Sequence, residues 1–101
     1  MKRFVIRYTF SLDSSELDAW HRRVREFITA IDAAPSLKGK IRYRCMRVKD
    51  TMDYMHFVEA DDDAPNLLQQ EPFFKPYTEE TKRVAGGTVT VSPLEMIADT
   101  T

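Results

Sequence analysis

His56 and a set of strand arginines are the residues of this chain with the most evident capacity for chemistry. His56 stands in the run Tyr54-Met55-His56-Phe57-Val58. An imidazole partly shielded from water titrates near neutrality and can act as a general base. The same position equally suits a hydrogen-bonded structural histidine packed beside Arg47. Arg7, Arg42, Arg44 and Arg47 lie in strand-like segments. A guanidinium facing a cavity would hold an anionic or phenolate oxygen. At a sheet margin it would instead pair with Glu59, Asp61 or Asp63. Cys45 is mid-strand, with neither a helix start nor a paired histidine, and is expected to be an inert core thiol. His21 and His56 fall on different elements without ligand spacing, so no metal site is expected. There is no Ser-His-Asp order, no CxxC and no phosphate-binding glycine loop. Gly86-Gly87 follows a helix instead of opening one.

The chain of 101 residues has the length of one domain, covering residues 1–101, and its 43% hydrophobic and 31% charged residues are those of a folding, water-soluble sequence. A formal net charge of −1 gives no electrostatic argument for nucleic acid as a partner. No apolar run approaches the roughly 18 residues of a membrane span. Arg7 interrupts the apolar run after Met1 too early for a signal peptide. A lone cysteine forms no internal disulfide, so a cytoplasmic setting is expected.

The elements that position these groups follow from periodicity. Residues 3–10 place Phe4, Ile6, Tyr8 and Phe10 at period two and predict a strand. Ser14 or Ser15 offers a helix N-cap, with Glu16 and Asp18 in the first turn. Leu17, Trp20, Val24, Phe27, Ile28 and Ile31 then form one apolar stripe on a helix of about 19 residues, roughly 28 Å long. Pro35 ends it and Gly39 marks a turn. Residues 40–49 and 54–60 predict a hairpin across Asp50-Thr51-Met52-Asp53. One register pairs Val48 with Met55, Met46 with Phe57 and Arg44 with Glu59. Asp61-Asp62-Asp63 supplies an N-cap for a short helix over 65–70. A second main helix starts near Pro76 and ends at Gly86-Gly87. Residues 88–92 alternate as a fourth strand, and Pro93 makes it an edge or a bend.

The order strand, helix, strand, strand, helix, strand fits an α+β, ferredoxin-like βαββαβ fold with both helices on one face of a four-stranded antiparallel sheet. Two helices cover only that face. Yet Met55 and Phe57 alternate with Tyr54, His56 and Val58, and Met46 and Val48 alternate with Tyr43 and Cys45. Both faces are therefore apolar. Leaving one in water would expose more than the roughly 300–600 Å² that soluble monomers tolerate. A homodimer packed sheet to sheet, as a dimeric α/β barrel, is the expected remedy.

The segment Glu71-Pro72-Phe73-Phe74-Lys75-Pro76-Tyr77, the helix to Gly86-Gly87 and the strand Thr88–Val91 resemble the antibiotic biosynthesis monooxygenase domains of the dimeric α/β-barrel superfamily. The hairpin from Gly39-Lys40-Ile41-Arg42-Tyr43 to Val58-Glu59 matches the middle of that family. The resemblance spans nearly all of the chain in pattern and about a fifth in specific motif. It implies a pocket between sheet and helices. Some members of the family oxidise quinol-like aromatics with dioxygen and no cofactor, others degrade haem, and many have no assigned activity. The haem-degrading branch is disfavoured. Thr78 stands where its iron-ligating histidine would be, strand one has no asparagine, and Asp61 or a neighbour replaces its tryptophan.

On that resemblance the Tyr77 hydroxyl points into the pocket or packs in the core, and Phe73 and Phe74 are pocket walls or core. Trp20 packs in the core stripe or also stacks on substrate. The function expected is a cofactor-independent monooxygenase, an oxidoreductase acting on a compact aromatic, quinol-like substrate without cofactor or metal. His56 or Tyr77 would be base or hydrogen-bond partner, Arg47 or Arg7 the charge stabiliser, and Trp20, Phe73 and Phe74 the substrate contacts. The alternative is a non-catalytic small-ligand-binding or regulatory homodimer of the same fold.

Overall fold

The computed structural model describes residues 1–100. Strands β1 (Lys2–Thr9), β2 (Ile41–Arg47), β3 (Asp53–Ala60) and β4 (Thr90–Pro93) form one sheet in the order β2-β3-β1-β4. Every neighbouring pair is antiparallel. Helices α1 (Leu17–Ala33), α2 (Ala64–Gln69) and α3 (Phe74–Val84) complete a ferredoxin-like arrangement. The period-two row Phe4, Ile6, Tyr8 of β1 joins Tyr54, His56, Val58 of β3 and Ile41, Tyr43, Cys45 of β2 on the side covered by the helices. The stripe Trp20, Val24, Phe27 and Ile31 of α1 is buried against this row. Among the described residues no helix is long and apolar enough to cross a membrane.

Three local expectations are corrected. The cap before α1 is Asp13, not Ser14 or Ser15. Its carboxylate accepts from the Ser15 N–H at 2.9 Å and opens a 3₁₀ turn over Ser14–Glu16 that leads into the helix. Asp63 precedes α2 but makes no cap through its side chain. That carboxylate is held by the Lys40 ammonium at 2.7 Å. The hairpin pairs Met46 with Met55 and Arg44 with Phe57, two residues from the expected register. The turn decides this. The Val48 carbonyl accepts from both the Thr51 N–H (3.1 Å) and the Thr51 hydroxyl (2.7 Å), and Asp50 takes a left-handed φ of 65°. The loop is then four residues long, closed by the Val48 N–H on Asp53. A shift of two keeps each side chain on its face, so the core is unchanged. It does place Cys45, not Arg47, opposite His56.

The turn after α3 needs its glycines. Gly86 and Gly87 have φ of 67° and 92°, and a Cβ on Gly86 would sit 2.8 Å from the Ser11 hydroxyl. That junction also carries the Ser11 N–H to Val84 carbonyl bond at 2.8 Å, which ties the end of α3 to the exit of β1.

Candidate functional site

A cavity of about 560 Å³ lies between the helix-covered side of the sheet and α2–α3. Its walls are Phe4, Ile6, Ile41, Tyr43 and Val58 from the strands, Phe27 from α1, and Leu68, Phe74, Tyr77 and Thr81 from α2 and α3. The chain places them there by simple means. Period-two residues of β1 and β2 point to one side, and Tyr77 and Thr81 stand one helical turn apart on α3. Among the described residues, Lys2 and Lys82 are the only charged ones in the lining, both exposed at its rim, and no carboxylate lines it. The Phe27 and Tyr77 rings stack with centroids 3.7 Å apart, and Tyr43 meets Phe27 edge-on at 5.3 Å. These pairs give the cavity a rigid aromatic wall.

Behind that wall runs a continuous polar cluster. Trp20 Nε1 donates to Tyr8 Oη at 3.0 Å. Tyr8 Oη lies 2.7 Å from His56 Nε2, and His56 Nδ1 lies 2.6 Å from Tyr43 Oη. Tyr77 Oη is 3.3 Å from Tyr43 Oη and 3.4 Å from His56 Nδ1. No buried side-chain nitrogen or oxygen of the described residues lacks a partner. His56 is fully buried, and burial pushes its imidazole down to about 4, so the ring is neutral at pH 7. Burial likewise raises the hydroxyls of Tyr8, Tyr43 and Tyr77 above the ordinary tyrosine range. These groups therefore act as hydrogen-bonding hydroxyls and not as phenolates.

The singled-out residues divide accordingly. Tyr77 and Phe74 line the cavity. His56 reaches it only through Tyr43 and Tyr77, because both ring nitrogens are occupied by tyrosines. Trp20 is buried behind Tyr77, with stacked centroids 5.8 Å apart, and does not line the cavity. Phe73 packs edge-on against Phe27 at 5.8 Å, outside the lining. Arg47 sits at the far end of β2. Its guanidinium lies 5.7 Å from the Tyr54 ring and donates to Tyr54 Oη at 3.4 Å, and Tyr54 Oη also meets His21 Nε2 at 2.6 Å. Burial first, and then Arg47, lower the His21 titration. Arg7 is on the uncovered face, exposed, with Ser92 Oγ at 3.5 Å. Neither arginine is at the cavity. Arg3 and Arg44 pair with Glu59 at 3.2 and 3.7 Å on that same uncovered face. Burial pushes the Cys45 thiol up to about 11, as expected of an unreactive core residue. Among the described residues, no group of three or more His, Cys, Asp or Glu is placed to hold a metal ion.

No protein-family profile matches the sequence, and no curated protein matches it. Solved structures do. A putative antibiotic biosynthesis monooxygenase from Nitrosomonas europaea superposes with a TM-score of 0.75 at 7% identity, over 97% of this chain and 100% of that one. SnoaB, a cofactor-independent oxygenase from Streptomyces nogalater, gives 0.70 at 21% identity, over 97% and 94%. The chain has the antibiotic biosynthesis monooxygenase-like fold. A dimeric ferredoxin-like protein of unknown function from Jannaschia sp. CCS1 gives 0.67 at 14% identity, over 95% and 100%. At these identities the likeness is one of fold.

Tyr8 and Tyr43 escaped the sequence reading as site residues. Their period-two positions assign them to the helix side. Their convergence on His56 depends on cross-strand register and on pairing between strands that are not consecutive in the chain. The only available signal was a fourfold recurrence of tyrosine (Tyr8, Tyr43, Tyr54, Tyr77) on elements predicted to share one core.

Proposed function

We propose that the cavity binds a compact aromatic, quinol-like molecule and positions it for oxidation by dioxygen without a cofactor. The observation that carries this is the lining: mainly apolar and aromatic, with Tyr43 and Tyr77 in its wall, two lysines at the rim and, among the described residues, no carboxylate. Such a site favours a flat ring bearing one oxygen, and favours its anion over its neutral form. The fold shared with SnoaB supports the same reading.

The chemistry asks little of the protein. A hydroxyarene loses its hydroxyl proton, and the resulting anion passes one electron to dioxygen. The ring radical and superoxide couple at a carbon that is CH₂ in the keto tautomer. The hydroperoxide then loses water and leaves a carbonyl. One dioxygen is consumed, its atoms ending in the carbonyl and in water, and the substrate supplies all four electrons. The Tyr77 hydroxyl, backed by that of Tyr43, stabilises the anion, while Phe27 and Phe74 hold the ring. His56, neutral and enclosed, supports these hydroxyls instead of taking the proton itself. The rate should therefore follow the ionisation of the substrate, with no inflection near pH 6.5 from an imidazole.

Oxygen uptake against a panel of hydroquinones and hydroxyarenes tests this. Turnover is expected, and Tyr77→Phe should lower kcat/KM roughly tenfold to a hundredfold. Uptake no faster than the uncatalysed rate across the panel would contradict the reaction. A second reading, a non-catalytic ligand-binding or regulatory dimer, keeps the cavity and drops the turnover. It is favoured by one observation: the imidazole that would be the base is sealed behind tyrosines.

The proposal includes a homodimer. The uncovered face of the sheet carries Val5, Phe57, Met55 and Met46 at its centre, with Val48 just beyond β2, and Arg3, Arg7, Arg42, Arg44 and Glu59 around them. Met46 and Val48 are 44% and 45% exposed, and Leu94, Met96 and Ile97 beyond β4 are exposed too. A second copy, packed face to face, is the occupant that covers an apolar centre inside a polar rim of this kind.

A further inference from the structure

We infer that the cavity presents a single hydroxyl donor, that of Tyr77, set by a one-way chain of hydrogen bonds from Trp20 through Tyr8, His56 and Tyr43. The site would then take its ligand by an acceptor oxygen, a carbonyl or a phenolate. This rests on the proposal that the cavity holds an aromatic ligand, and it adds which form of that ligand is selected and which buried residues impose the choice.

The direction follows from counting protons. The Trp20 indole nitrogen can only donate, so Tyr8 Oη accepts from it at 3.0 Å. The Tyr8 proton then has one acceptor within reach, His56 Nε2 at 2.7 Å. Nε2 is thereby unprotonated, and the neutral ring carries its hydrogen on Nδ1. Nδ1–H donates to Tyr43 Oη at 2.6 Å. Among the described residues the Tyr43 proton has one acceptor, Tyr77 Oη at 3.3 Å, and we assign it there although Tyr43 also borders the cavity. Among the described residues, Tyr77 Oη has two partners within 3.5 Å, the Tyr43 oxygen, which already donates to it, and Nδ1, which bears a hydrogen. The Thr81 hydroxyl beside them gives its own proton to the Tyr77 carbonyl. The Tyr77 proton thus has no acceptor within that distance, and Tyr77 lines the cavity. The opposite sense would require Nε2–H to donate to Tyr8, leaving a buried Tyr8 proton with no acceptor among the described residues. Trp20 thus acts at a distance, because an indole N–H at the head of the chain forbids reversal. The lysines at the rim, Lys2 and Lys82, are donors as well.

Tyr8 and Trp20 are positioning residues. Neither lines the cavity, yet both decide what its hydroxyl offers. Two aromatic probes of one shape separate the effect from packing: 2-acetylnaphthalene, whose carbonyl only accepts, and 2-ethylnaphthalene, which has no acceptor. The wild-type protein should bind the ketone at least about fivefold more tightly. Tyr77→Phe should bring that ratio to about one. Tyr8→Phe removes the donor to Nε2 and lets the chain reverse, so the ratio should fall while 2-ethylnaphthalene binds as before, showing that the cavity is intact. Nitrogen-15 NMR of the His56 ring should show hydrogen on Nδ1 in the wild type, and a shift toward Nε2–H in Tyr8→Phe. Equal affinity for the two probes, or an Nε2–H ring in the wild type, overturns the one-way chain and leaves the apolar cavity standing. Binding of neither probe overturns the ligand proposal and this inference together.

Discussion

Phe57→Arg should turn a dimer into a monomer. Phe57 lies on the uncovered side of the sheet, paired with Val5 in β1 and Arg44 in β2. Val5 is already buried by its sheet neighbours, whereas Met46 and Val48 remain open to water. In an isolated chain an arginine at position 57 extends into solvent and costs little. In a face-to-face dimer it appears twice, without a partner, beside Arg44 and the same surface of the second copy. Enclosing an unpaired charge costs several kcal/mol, so the dissociation constant should rise by a factor of at least about 100. Light scattering at tens of micromolar should give twice the chain mass for the wild type and the single mass for the variant. The thermal transition of the variant should still be cooperative. A monomeric wild type, or a variant that still dimerises, would remove the sheet-to-sheet assembly.

The second large effect is an acid one. His56 titrates at about 4 in the folded chain because it is buried, against about 6.5 when unfolded. The unfolded chain therefore takes up its proton first. The stability contributed by the neutral ring is complete above about pH 6.5 and is lost as pH falls toward 4. The loss reaches about 3 kcal/mol at pH 4. His21, also lowered, adds to it in the same direction. Chemical denaturation of the wild type at pH 7.5, 5.5 and 4.5 should show this decline. In His56→Leu the decline should shrink. At pH 7.5 that variant should already be less stable by about 2–4 kcal/mol, since Tyr8 loses its acceptor and Tyr43 its donor. An equal decline in both proteins would mean that His56 is neither enclosed nor neutral.

Much of the fold was legible because it depends on period and punctuation. The alternation of Phe4, Ile6 and Tyr8, the stripe of Trp20, Val24, Phe27 and Ile31, and the glycine pair after α3 each specify an element locally. The hairpin register was not legible. It turns on Thr51 bonding back to Val48 and on Asp50 adopting a positive φ, which close the four-residue loop at residues 49–52 instead of 50–53. The site was legible in part. The family resemblance left Phe73, Phe74 and Tyr77 open between pocket wall and core; Phe74 and Tyr77 line the cavity and Phe73 does not. Arg7 and Arg47 were not separable from it by residue type, because which strand face and which end a residue takes depends on pairing between strands distant in sequence. For the same reason His56 read as a candidate base. Only the register brings Tyr8 and Tyr43 against its two nitrogens and takes it out of reach of a ligand.

The central claim is that an aromatic molecule occupies the cavity under the helices and not the open side of the sheet. Methyl NMR during titration with 2-acetylnaphthalene tests it most directly. Ile6, Ile41, Val58, Leu68 and Val91, which line the cavity, should shift together. Val5, Met46 and Met55, on the uncovered face, should stay still. Shifts confined to the second group, or none in either, would contradict it.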